Sequence, residues 1–312
     1  MPSMKNFDSN AIGKAAPIDR WVAAMEQAFI DTAQGVVEVP QRVHIDRGPN
    51  TLLLMPCFGS TYFSTKLVSV FPKNLLKKEP MIYGSVLLND GQTGRPLAVM
   101  DGSKLTAMRT AAVGALGIKY LASKEASSLG VVGLGIQGFH QALFACQQCC
   151  IKTLRIMDNS REVMARFSER FKAFYPEIKV IPCKSAEELC KASEIIITAT
   201  GSHQPVVPSS GLWWKGKTVV GIGSYKPDMR EFPDPFFENL EQVFVDTPVA
   251  LEETGDLLEP LKKGLINETQ VIPLWDLILG KIKPSGDTRF FKSVGMAAFD
   301  LYGAKLVFES LS

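Results

Sequence analysis

The sequence predicts an α/β fold that is divided into two domains. The chain has 312 residues, of which 46% are hydrophobic and 21% are charged, and this is enough to bury one large core or two moderate ones. Short strand-like segments fill much of residues 36–100, whereas apolar strands alternate with helices from residue 129 onward. Such an alternation is typical of a parallel sheet that helices cover on both faces.

The first part of the chain is predicted to form a helix and a mixed or antiparallel sheet. Residues 21–30 carry apolar side chains at helical spacing. Segments rich in β-branched and apolar residues, separated by glycine, proline and asparagine, are predicted to be strands: residues 36–45, 51–57, 65–71, 83–89 and 96–100. The turn at residues 89–94 predicts a hairpin in which Gly91 and Gly94 adopt positive φ.

A long helix at residues 105–121 is predicted to lead into the second domain. The predicted strands beyond it are residues 129–132, 154–157, 180–182, 195–200, 218–222 and 243–246. Three helices are predicted between these strands. The first ends at about residue 150, the second begins at residue 161, and the third covers residues 186–191.

Charge and composition argue against several classes of protein. Lysine and arginine total 34 against 32 aspartates and glutamates, without a long run of like charges, so nucleic acid is not an expected partner. No apolar stretch reaches the roughly 20 residues that span a bilayer. The N-terminus also lacks the continuous apolar segment of a secretory signal. We therefore expect a soluble, cytoplasmic protein without a membrane partner.

Six cysteines are expected to be reduced thiols rather than metal ligands or disulfides. Cys146 and Cys149 form a Cys-x-x-Cys motif, and Cys150 follows directly. A zinc site needs a second ligand pair at matching spacing, which none of the three histidines supplies nearby. We therefore predict no metal, and we interpret these cysteines as small apolar side chains on a buried helix face.

A glycine-rich turn predicts a site for a dinucleotide. Gly133, Gly135 and Gly138 fit the pattern G-x-G-x-x-G between an apolar strand and a helix. Gly133 permits the tight turn and Gly135 lets the backbone approach a pyrophosphate, while the N-terminus of the helix offers N–H groups to the phosphates. We predict a Rossmann domain that binds a nicotinamide dinucleotide, with an ordinary strand-to-helix turn as the alternative.

The choice between the two nicotinamide cofactors depends on Asp158, which follows the next predicted strand. A carboxylate at this position would accept hydrogen bonds from the adenosine ribose and would repel a 2′-phosphate. NAD(H) is therefore favoured. Arg161, three residues further on, weakens the preference, so NADP(H) stays an alternative.

A redox enzyme for a small amino or imino acid must also hold the substrate carboxylate, and a guanidinium donates two parallel hydrogen bonds to such a group. The candidates are Arg42, Lys66 and Arg109. Arg109 lies in an apolar helix, where an unpaired guanidinium is unfavourable to bury, although a surface or salt-bridged arginine is the alternative. Lys66 lies in an apolar strand. The alternative interpretation is that it is a charged residue of an edge strand, which prevents pairing with another chain.

Several motifs together resemble those of the ornithine cyclodeaminase and mu-crystallin family, in the same order and over nearly the whole chain. They are Ser64-Thr65-Lys66-Leu67-Val68, Ala98-Val99-Met100-Asp101-Gly102, Leu105-Thr106-Ala107-Met108-Arg109-Thr110-Ala111-Ala112, Gly133-x-Gly135-x-Gln137, Glu252-Glu253-Thr254-Gly255-Asp256 and Phe291-Lys292-Ser293-Val294-Gly295-Met296-Ala297. The resemblance implies a homodimer. It also implies a substrate-binding and dimerisation domain, residues 1–113 and 293–312, beside a Rossmann domain, residues 114–292.

The resemblance further implies roles for individual residues. The expected substrate contacts are Arg42, Lys66, Arg109 and Val294, of which Lys66 and Arg109 are the expected catalytic residues. The cofactor contacts expected from the glycine-rich motif and the resemblance together are Arg109, Thr110, Gly133, Gly135, Ile136, Gln137, Gly138, Asp158, Thr198, Gly221, Ile222, Gly223 and Ser293.

One departure from the family bears on the reaction. The resemblance implies that ornithine cyclodeaminases carry a catalytic aspartate two residues before a proline, just after the strand at residues 221–223. In this sequence the residue two positions before Pro227 is Tyr225. Asp228 follows the proline instead, which is similar to the mu-crystallin arrangement. The complete cyclodeaminase cycle is therefore in doubt, whereas a simpler redox reaction is not.

The leading hypothesis is an NAD(P)H-dependent reductase that converts a cyclic imino acid, Δ1-pyrroline-2-carboxylate or Δ1-piperideine-2-carboxylate, to proline or pipecolate. Arg42 and Arg109 would bind the carboxylate, and Lys66, or water held by it, would supply or stabilise the imine proton. A lysine between arginines should have a lowered pKa, which suits an acid near neutral pH. The alternatives are an ornithine cyclodeaminase, an alanine or other amino-acid dehydrogenase, and a non-enzymatic ligand-binding protein similar to mu-crystallin.

Overall fold

The computed structural model describes residues 3–209 and 213–312. The chain forms two compact units, Met1–Thr110 with Met296–Ser312, and Ala111–Gly295. We predicted the changes between domains after residues 113 and 292, whereas the units change after residues 110 and 295.

The regular elements follow one another along the described part of the chain, and residues 199–209 and 222–233 between them contain only turns and irregular structure. The strands are β1 Lys5–Phe7, β2 Val43–Arg47, β3 Asn50–Phe58, β4 Tyr62–Val70, β5 Ile82–Asp90, β6 Pro96–Asp101, β7 Ser128–Val132, β8 Thr153–Met157, β9 Lys179–Pro182, β10 Ile195–Thr198, β11 Thr218–Gly221, β12 Val243–Val245, β13 Val271–Pro273 and β14 Arg289–Lys292. The helices are α1 Ser9–Lys14, α2 Ile18–Ala33, α3 Gly102–Leu121, α4 Ile136–Ala145, α5 Arg161–Lys172, α6 Ala186–Ala192, α7 Asp234–Phe237, α8 Ala250–Glu253, α9 Gly255–Lys262, α10 Leu274–Ile278 and α11 Ala297–Leu311.

The first unit contains a mixed sheet with the order β1-β6-β5-β4-β3-β2. Strands β2 to β6 pair in antiparallel fashion, and β1 pairs parallel to β6. Helix α11 packs against β3, β4 and β5 and against α2, where the rings of Phe29 and Phe299 meet edge to face at 4.9 Å. This face of the sheet therefore forms the core of the unit.

The opposite face of the same sheet carries exposed apolar side chains. The strand register places Val43, Leu54 and Leu67 on one side of the sheet, opposite to Met55 and Lys66. We define the exposed sheet face by the side chains on it that are more than 40% exposed, which are Val43, Ile45, Phe58, Leu67 and Tyr83.

Two expectations for the first unit are wrong. Residues 36–42 are not part of a strand, although Glu38 forms an isolated bridge with Phe58; Pro40 has no N–H with which to continue a ladder. Gly94 has the expected positive φ of 74°, but Gly91 does not. A Cβ on Gly91 would lie 2.9 Å from the backbone oxygen of Ser60, so the close approach of another loop requires glycine there.

The second unit contains a parallel sheet with the order β13-β12-β14-β11-β10-β7-β8-β9. The chain passes from β7 through β8 to β9 on one side and then returns to β10 on the other side of β7. This reversal of strand order is the switch point of a Rossmann fold. Phenylalanines dominate one core of the unit, where Phe232, Phe236 and Phe290 pack with ring centroids about 5 Å apart. The predicted fold class is therefore confirmed.

The cysteines are all free thiols, but their positions differ partly from the prediction. Helix α4 ends at Ala145, so Cys149, which is buried, and Cys150, which is exposed, lie beyond the helix. Burial raises the pKa of Cys146 to about 12.

Within residues 3–209 and 213–312, no group of three potential metal ligands comes together, and no helix is long and apolar enough to cross a membrane.

Candidate functional site

A buried ionic cluster in the first unit contains two of the three predicted cations. Lys66 and Arg109 are only 4% and 5% exposed. The Nζ atom of Lys66 lies 2.8 Å from Oδ2 of Asp300, and Nε of Arg109 donates to Oδ1 of the same carboxylate at 3.2 Å. Asp300 is fully buried. One carboxylate thus holds both cations, which are the pair that the sequence analysis selected as catalytic.

Three elements position this cluster. Lys66 lies on β4, across from Met55 of β3 and Val86 of β5, on the face of the sheet that packs against α11. Arg109 is part of α3, and Asp300 lies in the first turn of α11. The N-terminal end of a helix favours a carboxylate, because unpaired N–H groups give it a partial positive charge.

The surroundings of Lys66 lower its pKa, as expected for a lysine near arginines. Burial is the main cause and lowers the pKa of Lys66 to about 8, with smaller contributions in the same direction from Arg109 and Arg42. The Asp300 carboxylate acts in the opposite direction. Lys66 can therefore change its charge near neutral pH, as a general acid must.

Arg42 and Val294, which were predicted to touch substrate, and Thr110, which was predicted to touch the cofactor, do not all belong to the first unit. Arg42 is half-buried in the segment before β2, and its charge acts on Lys66. Thr110 is buried on α3 next to Arg109. Val294 belongs to the second unit and donates its backbone N–H to Asp246 at 3.0 Å. The structure thus brings Lys66 and Arg109 together on one carboxylate, and Arg42 lies close enough for its charge to act on Lys66.

The glycine-rich turn of the second unit has the geometry that the pattern predicts. Gly133 follows β7 with a φ of 89°, and a Cβ on it would meet the backbone oxygen of Ala199 at 2.7 Å. Gly135 is the N-cap residue of α4 and has open space where a Cβ would be. A Cβ on Gly138 would lie 1.9 Å from the oxygen of Gly133. The helix N-terminus is therefore open on the side where a phosphate would approach.

Asp158 lies beside this turn and is held in place by backbone groups. Its Oδ2 accepts the N–H of Leu134 at 3.0 Å, and its Oδ1 accepts the N–H of Ser160 at 3.1 Å. These bonds fix the carboxylate next to the glycine-rich turn, and each oxygen retains a lone pair for a ribose hydroxyl.

The other predicted cofactor contacts lie at the carboxyl ends of the strands near the switch point. Thr198 and Gly221 are the last residues of β10 and β11. Ile222 is buried, and Ser293, after β14, donates its hydroxyl to Asp246 at 2.7 Å. Ligands of such folds bind at this edge of the sheet.

Two further predicted positions begin the helix that follows the glycine-rich turn. Ile136 is 68% exposed on the first turn of α4. Next to it, Oε1 of Gln137 is buried without a hydrogen-bond partner among the residues that the structure describes. A ligand group with a hydrogen to donate would satisfy this oxygen, so the open helix N-terminus, Asp158 and Gln137 together fit a dinucleotide.

Several buried charges were missed by sequence reasoning. Asp300 is one, and the second unit contains four more that are fully buried: Glu231, Asp246, Asp256 and Lys292. Lys292 lies 3.0 Å from Asp256 and 4.0 Å from Glu231. The available signal was a charged residue that directly follows apolar residues, as in Phe290-Phe291-Lys292.

The segment after β11 places the departure from the cyclodeaminase pattern at the protein surface. Tyr225 is 40% exposed, and Asp228 is exposed. The backbone oxygen of Asp228 and Nδ1 of His203 are 2.8 Å apart. Tyr225, which the sequence analysis compared with the cyclodeaminase aspartate, is thus an exposed residue of the second unit.

Comparisons with known proteins agree with this architecture. A Δ1-pyrroline-2-carboxylate reductase from Bacillus cereus is 34% identical over 269 residues, which are 83% of this chain and 81% of the relative. The solved structure of Thermococcus litoralis Δ1-pyrroline-2-carboxylate reductase in complex with NADH and L-proline is 31% identical, with a TM-score of 0.91 over 98% of this chain and 97% of that chain. An archaeal alanine dehydrogenase dimer with bound NAD is 26% identical, with a TM-score of 0.90 over 98% of this chain and 95% of that chain.

The family model described as the ornithine cyclodeaminase/mu-crystallin family matches residues 6–312. The match covers both units, and it includes all the motifs on which the predicted resemblance rests. The chain therefore belongs to the ornithine cyclodeaminase/mu-crystallin family.

Proposed function

We propose that this protein is an NADH-dependent reductase of a cyclic imino acid, with Δ1-pyrroline-2-carboxylate or Δ1-piperideine-2-carboxylate as substrate. The observation that carries the proposal is the buried Lys66, paired with Asp300 beside Arg109 and with a pKa of about 8. A lysine of this kind can give a proton to an imine nitrogen and regain it from water near neutral pH.

In this proposal the second unit binds the cofactor. The helix N-terminus after Gly135 would hold the pyrophosphate, and Asp158 would accept hydrogen bonds from the ribose. NADH supplies the hydride. The carboxylate of Asp158 disfavours a 2′-phosphate, which supports NADH over NADPH, while NADPH stays an alternative because Arg161 is near in sequence.

The first unit in turn binds the imino acid. Arg109 and Arg42 would bind the substrate carboxylate, and charge-assisted hydrogen bonds to a guanidinium are among the strongest available in proteins. Lys66 would donate a proton to the ring nitrogen. The imine carbon gains a hydride and the nitrogen gains a proton, so one C=N double bond becomes a C–N single bond and the lysine is left neutral until water reprotonates it.

Cyclic imino acids are the substrate class because of two independent considerations. The relatives named as Δ1-pyrroline-2-carboxylate reductases cover most of the chain. Tyr225 also replaces the carboxylate that a cyclodeaminase needs to exchange protons with the substrate amines. A net reduction needs no such group, because Lys66 is the only proton donor that the reaction requires.

We also propose that the protein forms a homodimer through the exposed sheet face of the first unit. Its side chains Val43, Ile45, Phe58, Leu67 and Tyr83 lie together on one side of the sheet, and contiguous apolar surfaces of this kind are typical of interfaces. The alanine dehydrogenase with a similar fold is a dimer. The cytoplasmic location stays a prediction from the sequence.

A panel of assays tests the proposed function. NADH and NADPH absorbance at about 340 nm would be followed with each cyclic imine, with pyruvate plus ammonia, and with ornithine plus catalytic NAD. We expect NADH oxidation with a cyclic imine to dominate. Ammonia release from ornithine would instead establish a cyclodeaminase, and turnover confined to pyruvate plus ammonia would establish an alanine dehydrogenase. Bound NADH without any turnover would establish a binding protein.

A further inference from the structure

The second unit contains a buried ionic cluster that the proposed reaction does not use. Glu231, Asp256 and Lys292 have no exposed surface. Lys292 lies 3.0 Å from Oδ2 of Asp256 and 4.0 Å from Oε2 of Glu231. Buried charges are unfavourable unless they are paired and hydrogen-bonded, so a buried cluster of this size requires an explanation.

Glu231 ties two separate segments together through both of its carboxylate oxygens. Its Oε1 accepts the N–H and the hydroxyl of Thr200, at 2.7 and 2.8 Å. Its Oε2 accepts the hydroxyl of Thr198 at 2.9 Å and the N–H groups of Gly223 and Ser224 at 2.8 and 3.2 Å. The first segment follows β10 and the second follows β11, so one side chain fixes the ends of two neighbouring strands.

The donor set indicates a carboxylate without a proton. Backbone N–H groups can only donate, and those of Thr200, Gly223 and Ser224 address both oxygens of Glu231, so this set of donors favours the charged carboxylate. Burial raises the pKa of Glu231, and the ammonium of Lys292 opposes that effect. Asp256 completes the cluster, because its Oδ1 accepts the N–H of Glu231 at 2.8 Å and thereby holds the backbone of that residue.

The segments that Glu231 fixes lie where a ligand of this fold binds. Thr198 ends β10, the strand next to β7 at the switch point, and Gly223 follows the end of the neighbouring β11. A Cβ on Gly223 would lie 2.1 Å from the oxygen of Thr200 and 2.5 Å from Oε1 of Glu231. The backbones of the two segments are thus so close that only glycine fits at position 223, and the carboxylate of Glu231 contacts both segments.

We propose that Glu231 is a positioning residue for the nicotinamide half of the cofactor, because its carboxylate fixes the strand ends on which that half rests. The proposal rests on the proposed function, since it assumes a nicotinamide cofactor. The adenosine half would be held elsewhere, by the glycine-rich turn and Asp158 beside β7 and β8. Glu231 should therefore affect the two halves of the cofactor differently.

The variant Glu231→Gln separates charge from size. In either orientation of the amide, its NH2 group would face at least one backbone N–H, that of Thr200 or those of Gly223 and Ser224. A hydrogen bond to a charged acceptor that is lost in a buried site corresponds to roughly 10- to 100-fold in an equilibrium constant, and here that constant governs how fully the strand ends are ordered before the cofactor binds. We expect NADH to bind 10- to 100-fold more weakly, while AMP, which carries only the adenosine part, binds as it does to the wild type.

A control carboxylate lies at an exposed position near the amino-terminal ends of strands of the same sheet. Glu194 also accepts two backbone N–H groups, from Ser127 at 2.9 Å and from Ser128 at 3.1 Å, where β7 begins. Glu194→Gln disrupts hydrogen bonds of the same kind, but at the amino-terminal end of β7 and not at the carboxyl ends of the strands. We expect its Kd values for NADH and AMP to equal those of the wild type.

The experiment measures Kd for NADH by fluorescence and for AMP by calorimetry, with thermal unfolding of each full-length variant. Unchanged NADH binding by folded Glu231→Gln would overturn the proposal, and so would equal weakening of NADH and AMP. If Glu231→Gln does not fold, Thr200→Val, which removes one donor and keeps the shape, decides the question: it should weaken NADH but not AMP. NADH binding without turnover of a cyclic imine contradicts the proposed function alone, whereas a wild type that binds no NADH contradicts both.

Discussion

Replacing Asp300 with asparagine tests how the protein sets the charge of Lys66. Burial holds the pKa of Lys66 at about 8, and the Asp300 carboxylate limits that decrease. The substitution Asp300→Asn keeps the size of the side chain but removes a negative charge 2.8 Å from the Nζ atom of Lys66. A neighbouring opposite charge changes a pKa by about 1 to 3. The pKa of Lys66 in the variant should therefore lie at roughly 5 to 7.

The consequence for activity follows from the sign of this change. Lys66 acts as an acid only while it is protonated, so the reductase activity of the wild type should decline as pH rises through about 8. At pH 8, about half of the wild-type lysines carry the proton, against roughly a tenth or less in Asp300→Asn. We therefore expect kcat/KM at pH 8 to decrease at least about 5-fold, and the alkaline decline to move to lower pH.

The assay is NADH oxidation with a cyclic imine between pH 5.5 and 9.5, with Asp31→Asn as a control. Asp31 is on α2 and accepts a hydrogen bond from Tyr302, which is on α11 like Asp300. Asp31 does not belong to the cluster of Lys66, Arg109 and Asp300. The control should keep the wild-type pH profile. Asp300→Asn should also lose about 3–5 kcal/mol of unfolding free energy, because Lys66 and Arg109 lose their buried partner. An unchanged alkaline decline in a folded Asp300→Asn variant would refute the reasoning.

Further substitutions test the other assignments. Lys66→Met should lower kcat by roughly 100-fold or more while NADH still binds, because the proton donor is lost; full reductase activity would remove Lys66 from the reaction. Asp158→Ser should raise kcat/KM with NADPH relative to NADH by about 10-fold or more, and an unchanged cofactor ratio would argue against a ribose contact. Gly138→Ala should destabilise the fold, because a Cβ would lie 1.9 Å from the oxygen of Gly133. Gly135→Ala should keep the melting temperature and weaken NADH binding, and the reverse pattern would contradict the glycine assignments.

Local patterns in the sequence were sufficient for the class of fold and for the cofactor turn. Apolar segments such as the one that became β7 are buried on both faces of the sheet, so they appear in the sequence as continuous apolar runs. The positive φ of Gly133 follows from a motif whose parts are adjacent in sequence. Strand β1 has only three residues, and Gly91 is required by a contact with another loop, so neither leaves a local pattern.

The candidate site was only partly predictable because its charges are paired over long distances. Arg109 and Asp300 are 191 positions apart, and nothing near Arg109 in sequence indicates which carboxylate neutralises it. Glu231 and Lys292 pair in the same way across the second unit. A buried charge can be suspected from apolar neighbours, but its partner is determined by the tertiary fold.

Hydride transfer itself is the most direct test of the proposed function. The protein would be incubated with Δ1-pyrroline-2-carboxylate and NADH that carries deuterium at C4 on the transferred face, and the product would be examined by mass spectrometry and NMR. We predict one deuterium at the α-carbon of proline and one NADH consumed per proline formed. Proline without deuterium, or NADH that stays reduced in the presence of every cyclic imine, would contradict the proposed function.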